Sequence, residues 1–127
     1  MKKQHILVIE DNEQNLYLMR FLLEKHGYTV ADARSGREGL KAAEQQRPDL
    51  ILLDIQLPEM DGYTVAVELR KRKWLAQVPI VAVTSYAMAG DREKALDSGA
   101  TDYIEKPIDP ATFVKSIELH LPLPSEG

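Results

Sequence analysis

Three short apolar runs and a fourth, shorter one each stop at a polar residue, and this pattern constrains the fold more than any other feature of the chain. Ile6-Leu7-Val8-Ile9 runs into Glu10-Asp11, and Leu50-Ile51-Leu52-Leu53 into Asp54. Ile80-Val81-Ala82-Val83 runs into Thr84-Ser85, and Tyr103-Ile104-Glu105 into Lys106-Pro107. Runs that are apolar throughout, rather than alternating, are strands covered on both faces, as in a parallel sheet. Parallel neighbours need crossover connections, and helical patterns fill the intervals.

The first interval predicts a helix from about Glu13 to His26, with Leu16, Met19, Leu22 and Leu23 on one face, Asn12 as N-cap and Gly27 as stop. Tyr28 to Ala31 reads as a shorter, more exposed strand. Ser35-Gly36-Arg37-Glu38 has the form of a capping box and opens a second helix, which Pro48-Asp49 ends. Pro58 and Asp61-Gly62 form a loop before a helix over Tyr63 to Arg72. Pro79 introduces the next strand, Gly90-Asp91 opens a helix that Gly99 closes, and Asp102 to Glu105 is the fifth strand. Asp109-Pro110 starts a final helix to about Leu121, ended by Pro122 and Pro124. Five strand–helix units of this size predict an α/β fold, a three-layer doubly wound (βα)5 sandwich around a parallel sheet of order 2-1-3-4-5.

In such sheets ligands bind beyond the carboxyl ends of the strands. The order 2-1-3-4-5 makes the strands ending in Asp11 and Asp54 neighbours, about 5 Å apart. Two carboxylates at that spacing repel by about 3 kcal/mol at an effective dielectric near 20. Glu10 adds to the repulsion, and Lys106 offsets only part of it. A divalent cation resolves the conflict. Oxygen ligands, with no cysteine and no paired histidines, favour Mg²⁺ or Mn²⁺ over zinc. Such an ion keeps positions open for phosphate oxygens, to which Thr84 can donate a hydrogen bond and Lys106 a countercharge.

With these residues in order, the chain resembles a receiver domain of a two-component response regulator, in the CheY-like superfamily. The resemblance spans about residues 4–121. It rests on Glu10-Asp11, on Asp54 with Gln56-Leu57-Pro58 and Gly62, on Thr84-Ser85, and on Tyr103 three places before Lys106-Pro107. It implies the flavodoxin-like receiver fold over 1–122, with 123–127 a short tail or truncated linker. It implies that Asp54 is the nucleophile that takes a phosphoryl group from a phosphohistidine. Asp11, Asp54 and the Gln56 backbone carbonyl would bind Mg²⁺, with Glu10 acting through water. Lys106 would pair with the phosphoryl oxygens, Thr84 would move to bond one of them, and Tyr103 would swing inward. The Lys106-Pro107 bond would be cis. Such a domain is a switch that assists its own phosphorylation and dephosphorylation, not an enzyme in the ordinary sense.

The resemblance also implies partners. A histidine kinase or histidine phosphotransfer protein would dock on the first helix near Gln14, Asn15, Leu18 and Leu22. A downstream protein would read the face formed by the fourth helix, fifth strand and fifth helix, around Met88, Ala89, Lys94 and Tyr103. Gln56 and Tyr86 would flank the position of an attacking water and slow loss of the phosphoryl group. The Asp54-Ile55-Gln56-Leu57-Pro58 and Ala87-Met88-Ala89-Gly90-Asp91 segments are similar to those of stand-alone regulators of the DivK type, and also to receivers of hybrid kinases. A monomer or a weak phosphorylation-dependent dimer is expected.

Composition sets the outer limits. At 127 residues the chain is one domain with a sizeable core. A net charge of −4 argues against a nucleic-acid surface spanning the domain. Absence of cysteine excludes disulfides and thiol chemistry. The opening apolar run is too short for a signal peptide or a membrane span, so a cytoplasmic protein with no membrane partner is expected. The run Arg70-Lys71-Arg72-Lys73 reads as a solvated helix end, and His5, His26 and His120 as structural or exposed. A flavin-mononucleotide binder would need a hydroxyl-rich loop where Glu10-Asp11-Asn12-Glu13 stands. An aspartate-nucleophile phosphatase would carry an acid at Gln56. A phosphorylation-independent scaffold of receiver shape would lack an acid, the threonine or the lysine.

Overall fold

The computed structural model of the chain describes residues 4–85 and 90–121. The readings placed on Tyr86, Met88, Ala89 and the tail from Pro122 therefore lie outside the described residues. Strands and helices alternate as β1 (His5–Ile9), α1 (Glu13–Lys25), β2 (Thr29–Ala33), α2 (Gly36–Gln46), β3 (Leu50–Asp54) and α3 (Gly62–Arg70). A single 3₁₀ turn (Lys73–Leu75) follows, then β4 (Ile80–Thr84), α4 (Asp91–Asp97), β5 (Asp102–Glu105) and α5 (Phe113–Glu118). All neighbouring strands are parallel, in the order β2-β1-β3-β4-β5.

Strand periodicity sorts the core into two layers. Leu7, Ile9, Ile51, Leu53, Ile80 and Ala82 face α2 and α3, where Ala43, Val65 and Leu69 cover them. Ile6, Val8, Leu50, Leu52, Val81 and Val83 face the other way, onto Leu16, Met19 and Leu23 of α1 and Phe113, Val114 and Ile117 of α5. Every residue of β3 and β4 is buried, whereas β2 and β5, at the edges, are partly open. Each large side chain so enclosed contributes about 1.5–3 kcal/mol, so the central strands are the rigid part of the molecule.

The helix signals act as expected in most places. The Asn12 side chain accepts from the Asn15 amide, and Asp61 caps α3 through the Thr64 amide. Ser35 caps α2 through the Glu38 amide, while the Glu38 carboxylate reaches back to the Arg34 amide. The last helix differs. Asp109 forms a turn, its side chain accepting from the Ala111 amide, and α5 begins only at Phe113. The side-chain turn competes with helical bonding, so the Asp109-Pro110 pair starts a loop that delivers the chain to the helix. β2 runs to Ala33 because β1 pairs with it over five residues.

Gly62 brings α3 hard against the end of β3. A Cβ there would lie 2.5 Å from the Asp54 carbonyl oxygen and 2.6 Å from the Ile55 Cα. The Gly62 amide donates to the Ile55 carbonyl at 2.9 Å. Only a residue without a side chain fits, and the loop carrying Gln56 is closed by this contact.

The basic run at the end of α3 departs from the expectation of a solvated helix end. Lys71 and Lys73 are exposed, but Arg70 is half-buried and folds back as a bracket. Its guanidinium donates to the carbonyls of Gly99 at 2.9 Å, Leu75 at 2.8 Å and Val78 at 2.7 Å. It thereby ties α3 to the lead-in of β4 and to the end of α4. Arg72 pairs with Glu44 of α2. The fork of donors suits several carbonyls at once, which a lysine cannot match. Arg70→Met is expected to destabilise the fold by about 2 kcal/mol, because part-buried carbonyls lose their partner, with Arg70→Lys recovering less than half. Urea unfolding of the three proteins checks this.

Candidate functional site

Four strand ends converge on one edge of the sheet. Glu10 follows β1, Asp54 ends β3, Thr84 ends β4 and Lys106 follows β5. Registry fixes their spacing, since Ile9 pairs with Leu53, Asp54 with Val83 and Thr84 with Glu105. Glu10 is fully buried, Asp54 is 3% exposed and Thr84 2%. Asp11 alone of the three acids faces solvent. Carboxylate oxygens of Glu10, Asp11 and Asp54 all lie within 4.8 Å of one another. They open into a cavity of about 430 Å³, lined also by Asn12, Gln56, Ser85 and Lys106.

Each acid is held by a few directed contacts. The Gln56 amide donates to Asp54 Oδ1 at 3.0 Å, and the Asn12 amide to Glu10 Oε2 at 3.1 Å. The Lys106 ammonium, itself nearly buried, lies 2.8 Å from Glu10 Oε1 and 3.4 Å from Asp54 Oδ2. The first of these contacts is ionic without hydrogen-bond alignment, so Glu10 Oε1 remains an acceptor with no aligned donor. Burial, with Asp54 alongside, pushes the Glu10 carboxyl up to about 7, although Lys106 and the Asn12 amide act against that rise. The site therefore holds more negative charge than its one lysine balances.

These residues suit a hard divalent cation. The donors are all oxygens, one from each acid lies within 4.8 Å of the others, and a buried carboxylate oxygen lacks an aligned donor. Tyr103 stands apart from this group. It is half-buried on β5 against the core layer that includes α3 and Ala95, with Tyr63 beside it. The Lys106–Pro107 peptide bond is cis.

The sequence reading missed one feature at the cavity mouth. Glu13, at the start of α1, pairs with Arg34, in the loop after β2. No local pattern announces such a pair, because the start of α1 and the loop after β2 meet only once β1 and β2 are side by side. The histidines occupy structural or exposed positions. His26 bonds the Leu22 carbonyl, His5 contacts Thr29 and Gln46, and His120 pairs with Asp102 at 2.7 Å.

Fold and site together define a doubly wound signalling-type domain with an acidic cleft at the carboxyl edge of its sheet, and comparisons with known proteins give its family. The family model described as response regulator receiver domain matches residues 6–118. The polar-differentiation response regulator DivK of Brucella ovis is 43% identical over 116 residues, covering 91% of this chain and 94% of that protein. The receiver domain of the sensor histidine kinase PA1611 from Pseudomonas aeruginosa, solved with a magnesium ion in its active-site cleft, is 37% identical. It superposes with a TM-score of 0.85 over 93% of this chain and 97% of its own. The chemotaxis protein CheY4 of Vibrio cholerae is 27% identical, with a TM-score of 0.90 over 94% of this chain and all of its own. The chain belongs to the response regulator receiver domain family. It is a receiver domain of two-component signalling, similar to DivK.

The charge imbalance has a measurable consequence. In chelator at about pH 8, where Glu10 is ionised, Asp54→Asn should be more stable than the native chain by about 1 kcal/mol, because one repulsive charge is gone. Mg²⁺ at about ten times its dissociation constant should raise the unfolding free energy of the native chain by about 1.4 kcal/mol. The variant should gain much less, reversing the order. Urea unfolding with EDTA and with Mg²⁺ checks both halves.

Proposed function

We propose that this receiver, taken as residues 1–122, accepts a phosphoryl group on Asp54 from a phosphohistidine and so changes which protein it binds. The observation that carries the reading is the placement of Asp54. It is a buried carboxylate at a strand end, with Oδ1 held by the Gln56 amide and Oδ2 facing Lys106 in an open cavity.

An Asp54 carboxylate oxygen attacks phosphorus, the phosphorus–nitrogen bond breaks, and its electron pair leaves on the imidazole nitrogen of the donor. The product is an acyl phosphate. Asp11, Asp54 and the Gln56 carbonyl would hold Mg²⁺, with Glu10 acting through water, and the ion would neutralise charge on the phosphoryl oxygens. Lys106 supplies the second countercharge and Thr84 a hydroxyl donor. Thr84 precedes the segment that leads to α4, so a shift of its hydroxyl toward the phosphoryl group makes room for Tyr103 to turn inward. The face of α4, β5 and α5 then repacks, and a downstream protein reads it. The phosphodonor, a histidine kinase or histidine phosphotransfer protein, meets α1 beside the cavity mouth, where Asn15 lies. The glutamine at position 56, where a phosphatase would carry a second acid, supports a switch that keeps its phosphoryl group over a phosphatase that turns over. No helix among the described residues is long and apolar enough to cross a membrane.

Intact-mass measurement after incubation with acetyl phosphate tests the reading. One phosphoryl adduct is expected with Mg²⁺, none with EDTA and none on Asp54→Asn. A native chain that binds Mg²⁺ yet acquires no adduct would replace this reading with a phosphorylation-independent scaffold.

A further inference from the structure

We propose that Lys94 is a positioning residue for the switch, setting the resting place of α4 by lying over the ring of Tyr63. This inference rests on the phosphoacceptor reading and adds to it a specific pair of residues that opposes the switched arrangement.

The ammonium of Lys94, midway along α4, sits 4.5 Å from the ring centroid of Tyr63, at the start of α3. A cation over an aromatic face is attracted by the ring quadrupole. The contact matters because α4 is short and, among the described residues, has few buried side chains. This helix spans seven residues, buries Ala95 and has Gly90 at its N-cap with no side-chain cap bond. By contrast α1 buries four side chains and is capped by Asn12. Just past its end Arg70 bonds the Gly99 carbonyl, and in its first turn Arg92 lies 3.9 Å from Asp102. Between these two contacts the middle of α4 is tied to α3 by Lys94 over Tyr63.

The surroundings reinforce the tie. Burial raises the Tyr63 phenol, and Asp91 and Asp61 raise it further, so the ring stays neutral and acids lie close enough to favour an ammonium there. Asp91 acts likewise on Tyr103, which places the Lys94–Tyr63 contact beside the residue expected to move. A swing of α4 that parts Lys94 from Tyr63 gives up this attraction, so the pair biases the domain toward the arrangement described here. Lys94 touches neither phosphoryl group nor metal, and acts through Tyr63 and the helix.

Beryllofluoride, which mimics a phosphoryl group on a carboxylate, reads the bias as an affinity in the presence of Mg²⁺. Lys94→Met and Tyr63→Leu should each tighten beryllofluoride binding by about threefold, and the double variant should be no tighter than either single. Lys94→Arg and Tyr63→Phe keep cation and ring and should bind as the native chain does. Unchanged affinity in Lys94→Met, or equal effects of Tyr63→Phe and Tyr63→Leu, would overturn the inference while leaving the phosphoacceptor reading intact. A native chain that binds no beryllofluoride would remove both. Titration calorimetry supplies the constants, and the pattern of rescue separates a tie from mere packing.

Discussion

The carboxylates of Glu10, Asp11 and Asp54 stand at the ends of two hydrogen-bonded strands, so sheet registry sets their separation and side-chain motion can relieve little of it. Adjacent strands lie about 4.8 Å apart, and the two side chains that are buried have nowhere else to go. Lys106 supplies one positive charge against three acids. What remains shows in the Glu10 carboxyl, pushed up to about 7 by burial and by Asp54. The strain is electrostatic and is maintained by packing. Gly62 holds α3 against the Asp54 carbonyl, and the fully buried strands β3 and β4 do not yield. A cation, or a change of charge on Asp54, is what such a site is poised to answer.

Rigidity is distributed unevenly around this centre. Strands β1, β3 and β4 are enclosed by both core layers, and α1 is anchored by a row of buried side chains. Toward the β5 edge the anchoring thins, with a short α4, a half-open strand and a half-buried Tyr103. Chemistry at a strand end needs fixed geometry, whereas a change of surface needs an element with a small energy gap between two positions. Under the phosphoacceptor reading one domain supplies both, because the sheet separates them. Arg70 marks the border, holding the end of α4 to α3.

Much of this was legible in the residues alone, for a physical reason. Strands buried on both faces must be apolar throughout, so Leu50 to Leu53 and Ile80 to Val83 could hardly be anything else, and the polar residue that ends each run marks the ligand edge. Caps such as Asn12 and Asp61 work through bonds three residues away and are equally local. What escaped depends on distant parts of the chain. The Arg70 bracket needs carbonyls supplied by loops up to 29 residues away, and the Glu13–Arg34 pair needs the start of α1 and the loop after β2 brought together by β1 and β2. Nothing in the basic run distinguishes Arg70 from Lys71. The late start of α5 was missed because Asp109 can cap a helix or close a turn, and only its surroundings decide.

The position of Lys106 ties the charged end of the sheet to its β5 edge. Its side chain is shared unequally, 2.8 Å from Glu10 and 3.4 Å from Asp54, and its amide donates to the Thr84 carbonyl at 2.8 Å. Under the phosphoacceptor reading, added negative charge on Asp54 shifts that balance away from Glu10. The ammonium is then drawn across the site, and the acid it leaves must turn to water or metal for compensation. Lys106 directly follows β5, three residues after Tyr103, so a pull on it acts on the strand that carries Tyr103. Thr84, on the neighbouring strand, leads into the segment before α4. Two adjacent strand ends would thus respond to the same charge, one through an ammonium and one through a hydroxyl. Thr84 precedes α4 in the chain, and Lys106 follows it by way of β5.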